Sequence, residues 1–582
     1  MILKALNDYY VRKQASGDPR DRLPAFGLEE KEIPFIIDID SEGRFINFAD
    51  TRAIQGKKKI AQRFLVPQGV KKTSGVAANL LWDNAEYVLG IDTKGKPERV
   101  VEQHAAFRAR LHALPDAIKG KPGARAVASF LDRIDLAALA NHAAWEEIKT
   151  TNPVMTFRLN SREELVCQDS GIIALAAADE EDLEERTGLC LVTGEEGPVE
   201  RLHTSIKGVW GAQTSGANIV SFNADAFRSY GKGQGENAPV GKAAAFAYTT
   251  ALNHLLARDS RQRVQVGEAS AVFWAEQPHD LESMVPDLFG EPPKDDPDRG
   301  TAALKALHQA AKSGKFVVGS EDARFHVLGL SPNAARISIR FWETQPARVI
   351  AARLQQHFDD LRVAKKPNEP EHLSLFRILT SISAQNKADN IPPNLGGDIM
   401  RSIIEGLPYP ATLLNLAVQR CRAEQEVSYG RAAAIKACLN RTIRRTNQTA
   451  TNPELEYTAM LDTNNPDNAY RMGRLFAALE KTQEDASPGL NATIRDRYYG
   501  AASSTPATVF STLLRLKNHH VAKLHPGQAV NREKLIGEIM DGLDHFPGHL
   551  PLPAQARFAL GYYHQRQDFF KKKDITNEPS NN

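Results

Sequence analysis

The secondary-structure pattern of this chain changes once, and that change sets the class of fold. Up to about residue 345, short apolar or alternating runs that favour β-strands are mixed with helical patterns. From about residue 372 the strand patterns disappear, and prolines separate one helical pattern from the next. We therefore predict an α+β protein, with a mixed α/β N-terminal region over residues 1–371 and an all-α helical bundle over residues 372–582.

The patterns also predict individual elements. The predicted hairpins join residues 35–39 to 44–48 and residues 326–328 to 337–341, with turns at 40–43 and 331–333. A helix is predicted over residues 243–258, and its core face would carry Ala245, Tyr248 and Leu252. Residues 279–300 are acidic and rich in proline, so we expect a surface loop there. The helices predicted for the bundle span residues 373–383, 395–405, 412–422, 431–445, 469–481, 507–519, 532–543 and 554–570.

Residues 203–240 combine glycines, side-chain amides and hydroxyls with very few acidic residues. Glycine allows main-chain N–H groups to approach phosphate oxygens closely, and amides and hydroxyls can hydrogen-bond to base edges without fixed charge. The candidate residues here are Gln213, Thr214, Ser215, Asn218, Asn223 and Asn237, with Lys207 and Lys232 as basic neighbours. A set of polar loops that join strands fits the same composition equally well.

Residues 57–72 carry six basic residues and no acidic residue, although the whole chain has a formal net charge of only +2. A local positive patch of this kind is typical of polyanion binding, and a solvated lysine-rich loop is the alternative. The candidate contacts are Lys57, Lys58, Lys59, Lys71, Lys72, Thr73, Ser74 and Asn79. Trp82 and Trp210 adjoin the two candidate segments, and we predict that both are core residues and not stacking platforms.

Residues 420–445 of the predicted bundle contain seven basic and two acidic residues. A helix with such a basic face could lie along a phosphate backbone, or its charges could be solvated. The candidate contacts are Arg420, Arg431, Arg441, Arg444 and Arg445.

Five motifs spread from the N-terminus to about residue 410 point to one family. They are MILKALNDYY, LPAFGLEEKEIPFIIDID, KKTSGVAANLLWDNAEYVLG, LHTSIKGVWGAQTSGANIVSFNADAFRSYGKGQGENAPV and IPPNLGGDIMRSIIEGLPYP. With these motifs the chain resembles the large subunit of the type I-C CRISPR surveillance complex, also called Cascade.

The resemblance implies a DNA-recognition subunit without catalytic activity. Such a subunit recognises a short protospacer-adjacent motif, typically TTC, in target duplex DNA, promotes strand separation and R-loop formation, and supports recruitment of a helicase-nuclease. The implied partners are CRISPR RNA, target double-stranded DNA, the displaced single strand, the backbone and handle-binding Cascade subunits, a small helical subunit and the helicase-nuclease. The residues assigned to duplex reading and phosphate holding are Lys71, Lys72, Thr73, Ser74, Asn79, Gln213, Thr214, Ser215 and Asn218.

The resemblance also implies a second, shorter product of the same gene. Large-subunit genes of this type contain an internal start from which the small helical subunit is made. Met460 is the candidate start, and residues 460–582 are long enough for a separate helical bundle. Met472 is a less attractive start because it falls inside a predicted helix.

The sequence contains none of the motifs that commonly mark an active site. It has no GxxxxGK[ST] phosphate loop, no GxSxG elbow and no HExxH motif, and its four cysteines are far apart. We therefore predict no catalytic residue, no cofactor and no metal. The chain also lacks an apolar run long enough to span a membrane and an export signal, so we expect a cytoplasmic protein. The alternatives are a nuclease with carboxylates dispersed along the sequence, and an architectural scaffold that does not read DNA sequence.

Overall fold

The chain divides into two compact units. The first comprises Met1–Ser205 and Val220–His254, and the second comprises Ile206–Ile219 and Leu255–Asn582. The computed structural model describes residues 1–55, 58–70, 75–178, 186–222, 224–292, 296, 298–313 and 315–570. The domain boundary expected near residue 371 stays a prediction.

The first unit combines β-sheets with α-helices. Its strands are β1 (Leu28–Glu32), β2 (Phe35–Ile39), β3 (Phe45–Asp50), β4 (Ala53–Gln55), β5 (Lys58–Ile60), β6 (Arg63–Pro67), β7 (Trp82–Asn84), β8 (Val154–Leu159), β9 (Thr187–Leu189) and β10 (Glu196–Pro198). Its helices are α1 (Ile2–Gln14), α2 (Ala85–Leu89), α3 (Pro97–His112), α4 (Asp116–Lys119), α5 (Pro122–Asp132), α6 (Leu136–Leu139), α7 (Trp145–Thr151), α8 (Ser170–Ala177) and α9 (Lys242–Leu255). A four-stranded sheet has the order β3-β2-β8-β7, and the pairs β1-β6, β4-β5 and β9-β10 form smaller sheets.

Strand β2 lies at the centre of the four-stranded sheet. All five of its residues are buried, and it pairs antiparallel with β3 and parallel with β8. A strand that is covered on both faces needs apolar residues on both, which the sequence Phe-Ile-Ile-Asp-Ile supplies at four of five positions. The exception, Asp38, accepts a hydrogen bond from Nε of Arg158 on β8 at 2.9 Å. The buried carboxylate is therefore paired within the sheet.

The second unit joins a sheet to a large set of helices. Its strands are β11 (Arg263–Val266), β12 (Ala269–Ala275), β13 (Arg324–Asn333) and β14 (Arg336–Pro346). They form an antiparallel meander in the order β11-β12-β13-β14. Its helices are α10 (Leu281–Phe289), α11 (Arg299–Ser313), α12 (Ala347–Leu361), α13 (Leu375–Ser381), α14 (Leu395–Glu405), α15 (Ala411–Glu424), α16 (Tyr429–Asn447), α17 (Asn468–Ala486), α18 (Ile494–Ala502), α19 (Pro506–Val521), α20 (Pro526–Asp541) and α21 (Leu552–Asp568).

Helices α17 and α21 approach each other closely at two glycines. A Cβ at Gly473 would lie 2.0 Å from the carbonyl oxygen of Phe558, and a Cβ at Gly561 would lie 2.1 Å from that of Tyr470. No side chain fits at either position, so both glycines are required by the packing of the two helices.

An aromatic cluster fills the core around this helix pair. The ring centroid of Phe476 lies between 5.9 and 6.5 Å from those of Tyr499, Phe510, Phe558 and Tyr562. All five rings are buried and belong to α17, α18, α19 and α21. Ring pairs at this spacing add to the stabilisation from buried area.

The α+β class and both hairpins are confirmed. In the second hairpin, however, the strand continues through residues 331–333, and the turn falls at Ala334, whose φ is +52°. The helix predicted over residues 243–258 is α9, and its predicted core residues are buried. Among the described residues, no helix combines the length and the apolar character needed to cross a membrane.

The expectation of a surface loop over residues 279–300 is wrong for its first half. That stretch forms α10, which buries Leu281, Val285 and Leu288. These residues have the spacing of a helix face, and the acidic and proline-rich composition of the segment obscured it. The predicted helix ranges also contain no counterpart of α1–α8, α11, α12 or α18.

Candidate nucleic-acid interface

The loop of residues 206–219 is closed at its base by main-chain hydrogen bonds. The N–H of Ile206 donates to the carbonyl oxygen of Ala217 at 2.8 Å, and the reverse bond measures 2.9 Å. Both side chains are buried. Gly208 has a φ of +84°, and a Cβ there would lie 2.5 Å from the carbonyl oxygen of Leu256. The base of the 206–219 loop is therefore fixed, and it requires glycine at position 208.

Three of the predicted readers lie together at the tip of the 206–219 loop. The N–H of Gly216 donates to the carbonyl oxygen of Gln213 at 2.9 Å, which closes a tight turn. Gln213, Thr214 and Ser215 are all exposed on this turn. Their amide and hydroxyl groups can both donate and accept hydrogen bonds, so the tip can pair with base edges or phosphates.

Asn218, the fourth predicted reader in this segment, ties the loop to the sheet of the second unit. Its N–H donates to the carbonyl oxygen of Ala335 at 3.3 Å, and its carbonyl oxygen accepts from the N–H of Ile337 at 3.0 Å. The N–H of Trp210 also donates to Oγ of Ser270 on β12 at 3.0 Å. The 206–219 loop is thus attached to two strands of a rigid scaffold, as a binding loop requires.

The two tryptophans beside the candidate segments have opposite environments. Trp82 is 3% exposed, and its Nε1 donates to the carbonyl oxygen of Pro67 at 2.8 Å, so the predicted core position is confirmed. Trp210 is 63% exposed, and the same prediction is wrong for it. Trp82 follows two leucines, whereas Trp210 lies among glycines and outside any apolar run. That difference could have identified Trp210 as a surface residue able to stack on a base.

Asn79, which precedes β7, forms hydrogen bonds with residues on both sides of it in the sequence. Oδ1 of Asn79 accepts from the N–H of Val70 at 3.0 Å, and the N–H of Asn79 donates to Oδ2 of Asp83 at 3.0 Å. Asn79 is only 6% exposed, which favours a role in closing the loop over contact with a base. The predicted contacts Lys71, Lys72, Thr73 and Ser74 lie outside the described residues, as does Asn223.

The remaining lysines lie in separate elements. Lys59 is exposed on β5, and the main chain of Lys58 pairs with Gln55 on β4. Lys207 and Lys232 are exposed. Lys57 is outside the described part of the chain. Lys207 is the lysine that belongs to the 206–219 loop itself.

Several of the basic residues predicted to form an exposed face on helix α16 are buried. Arg431 is 2% exposed and is paired with Glu424, and Arg441 is 5% exposed, with its Nε donating to Oδ2 of Asp360 at 2.9 Å. Lys436 is also buried, and burial lowers its pKa. These contacts indicate that Arg431 and Arg441 serve the fold and argue against direct phosphate contact by either.

The other predicted arginines are accessible. Arg444 is half-buried, and its Nη2 donates to Asp360 at 2.8 Å and to Glu456 at 2.6 Å. Burial opposes its charge, but these two hydrogen bonds prevail and raise its pKa. Arg445 is exposed and donates to Oε1 of Gln448 at 2.9 Å. Arg420 lies 3.8 Å from Glu424 and is half-buried.

The cysteines do not form a reactive or metal-binding set in the described structure. Cys167, Cys190, Cys421 and Cys438 are buried and unpaired. Burial raises the pKa of the Cys167, Cys421 and Cys438 thiols to about 12, so these thiols stay protonated at neutral pH. Across the described ranges, no group of three or more His, Cys, Asp or Glu residues is arranged to hold a metal ion.

A model of the CRISPR-associated Cas_Csd1 family matches residues 6–570. The chain belongs to this family. The match extends over both units of this Cas_Csd1 family member, and it confirms the predicted resemblance to a CRISPR-associated large subunit. No curated protein matches the chain significantly.

Proposed function

We propose that this member of the Cas_Csd1 family is the DNA-recognition large subunit of an RNA-guided complex of type I-C. It recognises a protospacer-adjacent motif of the TTC type in target duplex DNA and promotes strand separation and R-loop formation. It acts by binding and not by catalysis, and it supports recruitment of the helicase-nuclease. Pairing with CRISPR RNA then supplies the long-range sequence specificity.

The observation that carries this proposal is the geometry of the 206–219 loop. Its base is closed by main-chain bonds, whereas Gln213, Thr214 and Ser215 are exposed on a turn at its tip. Reading a short motif requires hydrogen-bond donors and acceptors at defined positions, because a flexible loop would lose binding energy on ordering. The exposed Trp210 on the same loop adds a surface that can stack on a base or a sugar.

The lysines supply the part of binding that does not depend on sequence. Lys207 and Lys59 are exposed, and Asn79 accepts a hydrogen bond from the N–H of Val70, the residue that precedes Lys71 and Lys72 in the sequence. Phosphate contacts of this kind give affinity that falls with salt and is similar for all sequences. The guide RNA, the displaced strand and the other Cascade subunits are the remaining proposed partners.

The test is duplex binding by the reconstituted guide complex on targets with and without TTC. We expect the variant Gln213→Ala/Ser215→Ala to lose about 1–3 kcal/mol of discrimination per base contact removed. The matched control is Gln419→Ala/Thr412→Ala, which removes the same kinds of group from exposed positions on α15. Equal discrimination by the wild type and the tip variant would refute base reading by this loop.

The two alternatives give different results in the same assay. A nuclease would cleave labelled DNA when divalent metal is added, and an architectural scaffold would bind without regard to TTC. The wild-type complex on the two targets therefore separates all three functions.

We also propose that residues 460–582 are made separately as a small helical subunit, with Met460 as the internal start. The support is the aromatic cluster around Phe476, whose five members all lie after residue 460. Helices α17 and α21, which cross at Gly473 and Gly561, also lie within this segment. The segment shares its hydrophobic core with the preceding helices, and the aromatic cluster is the part of that core that it supplies by itself.

Expression from the intact gene, followed by mass spectrometry, tests internal initiation. We expect a short product that begins at Met460 and disappears in Met460→Leu. The control Met472→Leu should retain the product, because Met472 is a core residue of α17 and leucine has a similar volume. A short product that persists in Met460→Leu would place the start elsewhere.

A further inference from the structure

Five arginines line a groove of about 510 Å³ in the second unit. Arg348 and Arg353 come from α12, and Arg441, Arg444 and Arg445 come from the C-terminal half of α16. The connection between α14 and α15 closes one side of the groove. Of the described residues that line it, none is acidic. Guanidinium groups that line a groove can donate charge-assisted hydrogen bonds to an anion.

Two of the arginines are held in place by main-chain carbonyl groups at and after the end of α14. Arg353 donates to the carbonyl oxygen of Ile404, and Nη1 of Arg441 donates to that of Leu407 at 2.7 Å. The guanidinium of Arg441 also lies 4.3 Å from the ring centroid of Tyr409. The last carbonyl groups of a helix have no partner within the helix, so they can accept these hydrogen bonds. The bonds fix the side chains of Arg353 and Arg441.

The other three arginines lie toward solvent. The side chains of Arg348 and Arg444 are 56% and 33% exposed, and Arg445 is exposed. Asp322 pairs with Arg348, and Asp360 and Glu456 pair with Arg444, but none of these carboxylates lines the groove. A guanidinium has five N–H donors, so pairing with a carboxylate leaves donors for a ligand.

We propose that this groove binds the phosphodiester backbone of a single-stranded polynucleotide. The inference rests on the proposed function, and it assigns Arg348, Arg444 and Arg445 as phosphate contacts. Guanidinium groups bind phosphate with paired, charge-assisted hydrogen bonds, which arginine makes more specifically than lysine. Phosphate oxygens are the same at every nucleotide, so a groove that contacts only the backbone binds without regard to base sequence.

The experiment compares wild-type full-length chain with Arg348→Gln/Arg445→Gln. The probes are fluorescein-labelled single-stranded DNA, RNA of the same sequence and the same DNA as a duplex, titrated at salt concentrations from about 50 to 200 mM. The control is Arg362→Gln/Arg401→Gln, which removes two positive charges from side chains that are 74% and 57% exposed and do not line the groove. All four positions are exposed, so thermal unfolding should be unchanged in both variants.

We expect the groove variant to bind a single-stranded probe about ten-fold more weakly, with a salt slope reduced by about 1 to 2. Loss on DNA alone identifies the displaced strand as the ligand, loss on RNA alone identifies the guide, and equal loss identifies a general backbone site. Wild-type binding in the groove variant, equal loss in the control variant, or loss on the duplex alone would overturn the proposal.

The outcome is independent of motif reading. If the groove variant binds like wild type while Gln213→Ala/Ser215→Ala loses discrimination for TTC, the groove proposal fails and the proposed function stands. If the wild-type complex shows no discrimination for TTC but the groove variant loses salt-dependent binding, the proposed function fails and the groove stands.

Discussion

The 206–219 loop and helix α16 have sequences that suggest nucleic-acid binding equally well, but they use their polar residues in opposite ways. The loop fixes its main chain with hydrogen bonds at its base and exposes the side chains of Gln213 to Ser215. Helix α16 buries Arg431 and Arg441 against acidic partners. Composition therefore shows which side chains can bind a polyanion, and tertiary packing decides which of them are available.

The cause of this difference is the surroundings of each element. Nearly every residue of α16 from Tyr429 to Arg441 is buried, so charges on that part of the helix must be paired inside the protein. Asp360 on α12 provides a shared partner, because it accepts hydrogen bonds from both Arg441 and Arg444. The tip of the loop lies in water, where uncharged polar groups need no fixed partner.

The largest effect is expected at Asp360, which is 2% exposed. In Asp360→Ala the buried Arg441 loses its counter-charge, and we expect the stability of α12 and α16 to fall by about 3–5 kcal/mol. Hydrogen–deuterium exchange measures this loss for each helix. Asp322→Ala, which removes an exposed partner of Arg348, is the control and should exchange like wild type. Unchanged exchange in Asp360→Ala would mean that the charges of α16 do not support the fold.

Gly208→Val tests whether the fixed base of the 206–219 loop supports DNA recognition at its tip. A side chain at this position meets the carbonyl oxygen of Leu256 and must adopt a φ of +84°, so we expect a local cost of about 1–3 kcal/mol. The base of the 206–219 loop should then exchange faster, and discrimination for TTC should fall while salt-dependent affinity remains. In Gly75→Ala, where a Cβ meets nothing within 4 Å, both should stay at wild-type values. Wild-type hydrogen–deuterium exchange at the loop base in Gly208→Val would show that the loop does not require glycine at this position.

Acidification should lower the free energy of unfolding of the second unit, but it should not change DNA recognition by the tip of the 206–219 loop. Burial and the nearby Arg441 hold the pKa of His357 well below 6.5, whereas the unfolded chain takes up its proton near that pH. The contribution of His357 is therefore complete above pH 6.5 and declines below it, by about 1.4 kcal/mol per pH unit until the folded pKa is reached.

Urea unfolding at several pH values measures this decline, and His357→Leu should reduce its slope. Lys207 is the only ionisable side chain of the 206–219 loop, so discrimination for TTC should not change between about pH 6 and 8. If discrimination for TTC fell with pH in parallel with the free energy of unfolding, this prediction would be wrong.

The smallest effect is expected at Arg445, which belongs to α16 but is exposed. Arg445→Gln should change the stability by less than about 0.5 kcal/mol, since its hydrogen-bond partner Gln448 is also on the surface. Arg441→Gln in the same helix should be strongly destabilising. Equal thermal shifts for the two variants would remove the distinction between structural and accessible arginines on α16.

Two hairpins, α9 and most of the bundle follow from local patterns, whereas most elements of the first unit were given no predicted bounds. The hairpin of β2 and β3, the core face of α9 and seven bundle helices with bounds close to α14–α17 and α19–α21 are predictable because their periodicity and turn residues agree. Helix α10 was not, because composition outweighed the spacing of Leu281, Val285 and Leu288. Here the helix includes Pro286, a residue that normally ends one.

The candidate site is predictable in part. The sequence identifies Gln213, Thr214 and Ser215 as polar residues among glycines, and these are exposed together. It cannot show that Arg431 and Arg441 are buried, since their partners are on other elements and Asp360 is 81 residues from Arg441 in the chain. For the same reason it could not bring Arg348 and Arg353 beside α16.

The way in which the 206–219 loop is held has an evolutionary consequence. Its attachments at Ile206, Ala217, Asn218 and Trp210 involve main-chain groups. Substitutions at Gln213, Thr214 and Ser215 therefore leave those attachments intact and carry little penalty in folding. With the proposed role in DNA reading, mutation at the tip can change the motif preference without first acquiring compensating changes in the scaffold.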